Sequence, residues 1–392
     1  MMFRIANALL ALCLSCTLAS AEDKKTSPKP MLKVPPAVFA VGEEYQILVL
    51  APDTLVRLRI GDQFYSDHIN GVRPSRKSVH RFRIPMPVLD RAGKYEVFCR
   101  KLPKRLPYMH QTTPEPESSS RYDFRKIPEK DIRIYHLSDT HDRFEAPIRA
   151  AQASGRIDLL VLNGDITDKM VNAEQLEYPC ILAGRISGGS IPVIYTRGNH
   201  ELRGEFAEFV QDYTPNRDGK LYYTVRLGPI WALVLDCGED KVDELPVYGF
   251  AIDCARHRQE VLAYMNRVLD EGGFKAAGIK YKMVICHVPF SALIARKKED
   301  ELLRRRFMIY GEWCKLLRTR LMPDLTLCGH MHQTQILRSN SYPFPVIVGS
   351  RPGREQKFTG TSIELMEKTA VVKFSDQDGQ VESETAIPLK KP

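Results

Sequence analysis

Hydrophobic and polar positions divide the chain into two regions with different periods. Before about residue 103, short alternating apolar runs are separated by turn residues such as Gly61-Asp62, which is typical of antiparallel strands. The strands predicted in this way cover residues 45–50, 55–60, 79–84 and 95–99. Together they indicate a small all-β, Ig-like sandwich domain over residues 22–102. Because this segment carries no catalytic residue pattern, we expect it to be an accessory module.

After residue 131 the pattern changes to strongly apolar runs that alternate with segments of helical period. The apolar runs predict strands at 132–137, 157–162, 191–196, 221–226, 230–235, 283–286 and 325–327. The helical periods predict helices at 144–153, 173–186, 256–269 and 301–320. This alternation predicts an α/β domain over residues 131–378, in which loops at strand ends are the usual place for chemistry.

Two further segments are polar. Residues 103–130 are rich in Pro, Ser, Glu and Lys, and we interpret them as a linker between the domains. Residues 379–392 are interpreted as a C-terminal tail.

The first 21 residues have the organisation of a secretory signal peptide. A basic start is followed by a short apolar run and by Ala19-Ser20-Ala21. We therefore expect a mature chain that begins at Glu22 and is periplasmic or secreted. A lipid-attachment cysteine at Cys16 remains an alternative. No later run is long and apolar enough to predict a transmembrane span.

Composition narrows the class of protein. With 392 residues the chain exceeds the ~250 to 300 residues at which a single core stops growing, so two domains are expected. An apolar fraction of 43% and a charged fraction of 27% argue against collagen-like, disordered and multi-span membrane proteins. The formal net charge of +9 favours anionic partners or merely maintains solubility, and both readings stay open.

Seven of the nine cysteines follow the predicted signal peptide. Their odd number and the lack of a C-x-x-C pair fit neither a disulfide framework nor a zinc knuckle. We expect buried, unbridged thiols, with a single bridge between Cys237 and Cys254 as the open alternative.

Candidate chemistry lies in five short segments that follow predicted strands. They are Asp139-Thr140-His141, Gly164-Asp165-Ile166-Thr167-Asp168, Gly198-Asn199-His200-Glu201, Cys286-His287-Val288-Pro289 and Gly329-His330-Met331-His332. Half of the ten histidines fall in these segments. This mixture of oxygen and nitrogen donors is more typical of a catalytic site for Mn, Fe or Zn than of a structural zinc site.

Spacing suggests how the donors converge. In an extended segment, residues two apart project to the same side, so Asp139 with His141, and His330 with His332, can each meet at one point. Glycines at 164, 198 and 329 permit the close turns that this convergence needs.

The five segments together resemble the signature of calcineurin-like metallophosphoesterases. That signature reads D-x-H, G-D-x-x-D, G-N-H-[ED], a lone His and G-H-x-H, and every block is matched within residues 131–375. The resemblance implies a four-layer α/β/β/α sandwich, preceded here by a sandwich domain as in purple acid phosphatase-like proteins. It also implies two metal ions. One would be held by Asp139, His141, Asp165 and His332, and the other by Asp165 as the bridge with Asn199, His287 and His330.

The same resemblance places His200 on the substrate side, with Asp168 orienting it. Such a histidine could stabilise an oxyanion or protonate the leaving alkoxide, although the pair could also be only a structural hydrogen bond. Four cations near the blocks could bind the substrate phosphate or be solvated loop residues. They are Arg143, Lys169, Arg197 and Arg203.

Departures from related families limit what the resemblance implies. Purple acid phosphatases carry a Tyr in the second block, whereas this chain has Asp168 there and His141 in the first, so no tyrosinate–iron colour is expected. Lys169 replaces the Arg that is usual in protein Ser/Thr phosphatases, which puts phosphoprotein specificity in doubt.

The sequence therefore predicts an exported, dinuclear-metal-dependent phosphoesterase that hydrolyses phosphate monoesters. Two adjacent ions can lower the pKa of a bridging water from ~15.7 towards neutrality, which supplies the attacking hydroxide. The expected substrate is a phosphorylated small molecule or polymer. One alternative is a phosphodiesterase acting on nucleotides, nucleic acid or lipid head groups, with nucleic acid as substrate only. The other is a non-catalytic surface-binding protein. The oligomeric state is not predicted.

Overall fold

A computed structural model describes residues 32–67, 78–101, 108, 116–293, 301–354 and 356–389, with 301–307 described as backbone only. The predicted signal peptide and the lipid-attachment alternative at Cys16 lie outside the described residues. Within those residues, no helix combines the length and apolarity needed to cross a bilayer.

The described residues contain one large sheet, sheet A, with ten strands. Nine lie in the order β20-β19-β18-β8-β9-β10-β1-β2-β5, and β17 pairs with β18. Their bounds are β1 Ala37–Val41, β2 Glu44–Leu50, β5 Val79–Pro85, β8 Ile132–Leu137, β9 Leu159–Asn163, β10 Pro192–Thr196, β17 Arg351–Pro352, β18 Phe358–Leu365, β19 Thr369–Asp376 and β20 Val381–Pro388.

A second sheet, sheet B, has six strands in the order β11-β12-β13-β14-β16-β15. Their bounds are β11 Tyr223–Leu227, β12 Ile230–Leu235, β13 Tyr281–Cys286, β14 Leu325–Cys328, β15 Gln335–Ser339 and β16 Tyr342–Val348. Strands β12, β13, β14 and β16 run parallel to one another, and β11 and β15 flank them as antiparallel edge strands. The continuous apolar sequences of the parallel strands follow from burial on both faces.

Helices cover the outer faces of the two sheets. The longer helices are α2 Glu145–Ala153, α3 Tyr178–Ser187, α5 Cys254–Glu271 and α7 Glu301–Leu316, and the shorter ones are α1 Met86–Ala92, α4 Val210–Tyr213 and α6 Phe290–Leu293. Apolar residues of α2 and α3 pack on sheet A, and those of α5 and α7 pack on sheet B. A third core joins the inner faces of the two sheets. The predicted four-layer α/β/β/α sandwich is confirmed.

The N-terminal region is joined to the α/β region more closely than we predicted. Strand β1 pairs in parallel with β10, so β1, β2 and β5 continue sheet A. The other strands form a third sheet, sheet C, of β4 Gln63–Ser66, β3 Thr54–Ile60, β6 Lys94–Lys101 and β7 Ser118–Asp123 in that order. Sheet C shares one apolar core with the β1-β2-β5 end of sheet A. The N-terminal strands are thus divided between two sheets, and β1, β2 and β5 belong to the same sheet as strands of the α/β region.

Two segments that we interpreted as irregular contain strands. The predicted linker at 103–130 includes β7, which pairs with β6, and the predicted tail at 379–392 includes β20, which pairs with β19. Both strands are polar because they lie at sheet edges and are largely exposed.

The seven cysteines in the described residues are buried and unbridged, as predicted. The alternative bridge is not formed. The Sγ atom of Cys237 lies 3.1 Å from Sγ of Cys286, whereas Sγ of Cys254 accepts the Glu239 backbone N–H at 3.2 Å.

Candidate metal centre

The predicted ligands follow the carboxyl ends of five strands. Blocks one to three follow β8, β9 and β10, which are neighbours in sheet A, and blocks four and five follow β13 and β14, which are neighbours in sheet B. Both sets are parallel, so their loops leave at the same edge of each sheet. The packing of the two sheets then brings all five loops together.

One group of four donors comprises Asp139, His141, Asp165 and His332, each offering a ligand atom within 4.8 Å of the others. The Nε2 atoms of His141 and His332 lie 2.9 Å apart. The Oδ1 atom of Asp139 lies 3.4 Å from Nε2 of His332. Asp139 is itself fixed, because the backbone N–H of His330 donates to its carboxylate at 3.0 Å.

A second group shares Asp165 and adds His287 and His330. The Nε2 atom of His287 lies 3.1 Å from Oδ2 of Asp165. On the other side of its ring, Nδ1–H donates to the Asn163 carbonyl at 2.6 Å. Nδ1 of His330 lies 2.9 Å from Oδ1 of Asn199, which brings the fourth predicted ligand to this group. Asp165 therefore lies between the two groups, as a bridging ligand would.

This donor set fits a pair of metal ions. The two Nε2 atoms, 2.9 Å apart, can share a proton in a hydrogen bond, and when both carry lone pairs they can bind one cation together. Two nitrogens that are each about 2.0 to 2.1 Å from one zinc ion would lie about 3 Å apart. The donors are carboxylate, imidazole and amide, which suit Zn, Mn or Fe.

Several predicted ligands have shifted pKa values in the metal-free site. Burial raises the pKa of Asp139 to about 7, and burial lowers the pKa of His141 to about 4. Burial also lowers the pKa of His287, but the carboxylates of Asp165 and Asp139 outweigh it and raise that pKa to about 10. A protonated His287 thus balances the charge of Asp165 when no metal is bound.

Five of the seven predicted ligands have a left-handed backbone, with φ between +46° and +71°. They are Asp139, His141, Asp165, His330 and His332. This conformation is uncommon and costly outside glycine, and it concentrates at functional sites. Our argument from extended segments was wrong, because the chain turns sharply at each block. Its result held for the first block only, since His330 and His332 fall in different groups.

Two glycines are required by the close approach of these loops. A Cβ on Gly198 would lie 2.1 Å from Oδ1 of Asp165, and one on Gly329 would lie 2.4 Å from Oγ of Ser138. The predicted role of these glycines in bringing the loops together is confirmed.

His200 lies beside the first group, with its ring centroid 4.5 Å from that of His141. Its Nδ1–H donates to the backbone carbonyl of Asp168 at 2.8 Å, and the Asp168 carboxylate is 3.3 Å from the same nitrogen. Its Nε2 accepts from Arg203 at 2.9 Å. Asp168 therefore does contact His200, but its main chain makes the shorter contact.

The four predicted phosphate-binding cations have different environments. Arg197 donates to Oδ2 of Asp236 at 2.6 Å, and Arg203 lies 3.2 Å from Oε2 of Glu239. Arg143 donates to the carbonyl of Gly353 at 3.0 Å. The side chain of Lys169 is 65% exposed, with Nζ 3.9 Å from the Asp168 carboxylate. Arg197 and Arg203 are each paired with a buried carboxylate, and Arg203 also contacts His200 directly.

Glu201 is part of the third block, and no role was predicted for it. Its buried carboxylate accepts backbone N–H groups from Asp165, Ile166, Thr167 and Gly198 at 2.7 to 3.1 Å. It thereby fixes the second block against the third.

A sixth loop, missed by the sequence analysis, follows β12. It supplies three carboxylates that each contact one residue of the site: Asp236 contacts Arg197, Glu239 contacts Arg203, and Asp240 contacts His330. The available signal was their position directly after a predicted strand, which is the criterion that identified the other blocks.

Comparison with known proteins agrees with this geometry. The sequence profile of the calcineurin-like phosphoesterase family matches residues 132–334, whereas a search of curated proteins gave no match. The chain is similar in structure to purple acid phosphatase PPD1 from yellow lupin (Lupinus luteus), with a TM-score of 0.54 and 12% identity over 90% of this chain and 74% of that one. It is also similar to a dimetal phosphatase from Danio rerio, with a TM-score of 0.46 and 12% identity over 67% of this chain and 100% of that one. At such identities, structural likeness establishes the fold alone. The matched profile covers more than half of the sequence, and the chain therefore belongs to the calcineurin-like phosphoesterase family of metal-dependent phosphoester hydrolases.

Proposed function

We propose that this protein is an exported phosphatase that hydrolyses phosphate monoesters at a dinuclear metal centre. The observation that carries the proposal is the pair of donor groups that share Asp165. Asp139, His141, Asp165 and His332 would hold one ion, and Asp165, Asn199, His287 and His330 the other. When bound, two such ions activate a water as nucleophile and neutralise phosphoryl charge.

The protein's own contribution centres on His200 and Arg203. The Asp168 carbonyl fixes the tautomer of His200 by accepting from Nδ1–H, so Nε2 carries the lone pair and accepts from Arg203. Both side chains are partly exposed beside the first donor group. A phosphoryl oxygen that enters here can accept from Arg203, which stabilises the developing charge.

Preference for monoesters is supported by the positive charge near the site. A monoester carries a second negative charge that a diester lacks, and Arg203 and Lys169, each already beside a carboxylate, retain N–H groups that can bind it. Because a diesterase could use the same metal pair, substrate turnover must decide between the two.

The test compares p-nitrophenyl phosphate with bis-p-nitrophenyl phosphate as substrates of the mature chain loaded with Mn²⁺. We expect faster turnover of the monoester, abolished by a chelator and in Asp165→Asn. Faster turnover of the diester would reverse the assignment. Fewer than one ion per chain, with no turnover of either ester in any metal, would instead support the non-catalytic binding protein.

His200→Ala separates substrate-side chemistry from metal binding. We expect turnover to fall while both ions are retained, because Arg203 loses the Nε2 acceptor that orients it. Metal content measured on the same sample is the control. A loss of metal in proportion to the loss of turnover would show that His200 acts on the ions rather than on the substrate.

Export is supported by the signal-like residues 1–21. Expression of the whole sequence followed by mass measurement of the recovered protein tests it. A chain that begins at Glu22 supports cleavage and release, a lipid-modified chain that begins at Cys16 supports the anchored alternative, and a chain that retains Met1 argues against both.

A further inference from the structure

We infer that Asp240 is a positioning residue for the metal ligand His330. The inference rests on the proposed dinuclear centre and extends it to a residue outside the family signature. Oδ2 of Asp240 lies 3.1 Å from Nε2 of His330. The opposite ring nitrogen, Nδ1, lies 2.9 Å from Oδ1 of Asn199, on the metal side.

The two contacts use the two nitrogens for different purposes. A carboxylate can only accept, so Nε2 must carry a proton that it donates to Asp240. This leaves the lone pair of His330 on Nδ1, where Asn199 and the second donor group lie. The Asp240 contact therefore selects the tautomer that can bind a metal and prevents the ring from rotating away.

Asp240 is itself held in place through its neighbour Glu239. Its backbone N–H donates to Oε1 of Glu239 at 2.9 Å. The carbonyl of Glu239 accepts from Arg258 at 2.8 Å, and Arg258 is a buried residue of α5. The loop after β12 is thus attached to the helix that covers sheet B. A carboxylate on a fixed loop is a better constraint on His330 than one on a mobile chain.

The contact is specific to one of the two donor groups. His330 belongs to the group of Asp165 and His287, whereas the other group draws on Asp139, His141 and His332. Removing the Asp240 carboxylate should weaken the binding of one ion and leave the binding of the other unchanged. Loss of an outer hydrogen-bond partner of a ligating histidine typically costs about 10- to 100-fold in metal affinity.

The experiment titrates metal-free protein with Zn²⁺ against a competing chelator and compares three variants with the wild type. For Asp240→Ala we expect about 10- to 100-fold weaker binding of one ion and unchanged binding of the other. Asp240→Asn should lose less, because its amide oxygen can still accept from Nε2. Asp243→Asn is the matched control from the same loop: its carboxylate accepts backbone N–H groups at the start of α5, and both ions should bind as in the wild type.

Wild-type affinity for both ions in Asp240→Ala would overturn the inference, and so would equal weakening of both ions. Asp240→Asn guards against a variant that fails to fold, since it preserves size and shape. A wild-type protein that binds fewer than two ions would refute the dinuclear centre and this inference together. Two ions bound by the wild type and by Asp240→Ala with equal strength would refute the role of Asp240 alone.

Discussion

Replacement of Glu201 by Gln tests whether its buried carboxylate holds the second and third blocks together, each of which carries a predicted metal ligand. Oε1 of Glu201 accepts from the N–H groups of Ile166 and Thr167 at 2.7 and 3.1 Å. Oε2 accepts from those of Asp165 and Gly198 at 2.9 and 2.8 Å. Glutamine has nearly the same shape, but one of these two oxygens becomes an NH₂ group. Two backbone N–H groups would then face a donor instead of an acceptor.

The expected cost follows from those two lost bonds. Hydrogen bonds to a charged group contribute about 1.5 to 3 kcal/mol each, so the loss amounts to about 3 to 6 kcal/mol. Part of it is offset, because burial and the neighbouring Asp165 raise the pKa of Glu201 and so disfavour its charged form. We therefore expect a decrease in unfolding free energy near the lower end of that range.

Urea unfolding of the metal-free protein measures this change without interference from bound ions. Glu205→Gln is the control, because Glu205 is exposed in the same loop and its replacement should stay within about 0.5 kcal/mol of the wild type. An unfolding free energy for Glu201→Gln within about 1 kcal/mol of the wild type, with both ions still bound, would refute the reasoning.

Three further predictions concern the glycines, the N-terminal strands and pH. Gly198→Ala should abolish metal binding, because the added Cβ would lie 2.1 Å from Oδ1 of Asp165; Gly311→Ala, in open space on α7, should leave metal content unchanged. A chain that begins at Asp131 should not fold, because β10 loses its parallel partner β1. Thermal unfolding followed by circular dichroism, compared with that of the full mature chain, tests this. A cooperative transition in the truncated chain would show that residues before 131 are dispensable for folding. Apparent metal affinity should rise with pH below about 10, by up to about tenfold per unit, because a metal must displace the proton from His287. Calorimetric titrations in buffers of different ionisation enthalpy measure that proton release, and a pH-independent affinity between 6 and 9 would contradict it.

The central strands were the most predictable part of the fold. The runs 132–137 and 230–235 were predicted with the bounds that the structure shows, because β12 is apolar throughout and β8 is buried except at Arg133. No element was predicted after residue 327, where β16, β18 and β19 lie. Two prolines interrupt the apolar run of β16, and polar residues alternate with apolar ones in β18 and β19, so each gives a weaker local signal.

The placement of the N-terminal strands could not be predicted from local patterns. Strand β1 is a continuous apolar run that was not predicted as a strand, and its partner β10 lies more than 150 residues later, with Val38 opposite Pro192. Periodicity specifies which face of a strand is buried and carries no information about the sheet it joins. The polar composition of residues 103–130 suggested a linker for the same reason, although β7 lies within them as a sheet edge.

In the site, too, some residues could be predicted from the sequence and others could not. The first are the candidate metal donors, and the second are the groups that orient them. The residues that we propose as metal ligands were predictable as a group, because histidines and carboxylates at strand ends form recognisable blocks. The groups that orient them were not, because Glu201, Asp236 and Asp240 have no spacing relative to their partners in the sequence. Their partners are main-chain N–H groups, an arginine and a histidine, reached across distances of up to 90 residues. A motif therefore identifies the candidate donor residues, while the tautomers and orientations that would let them bind metal depend on contacts that only the folded chain reveals.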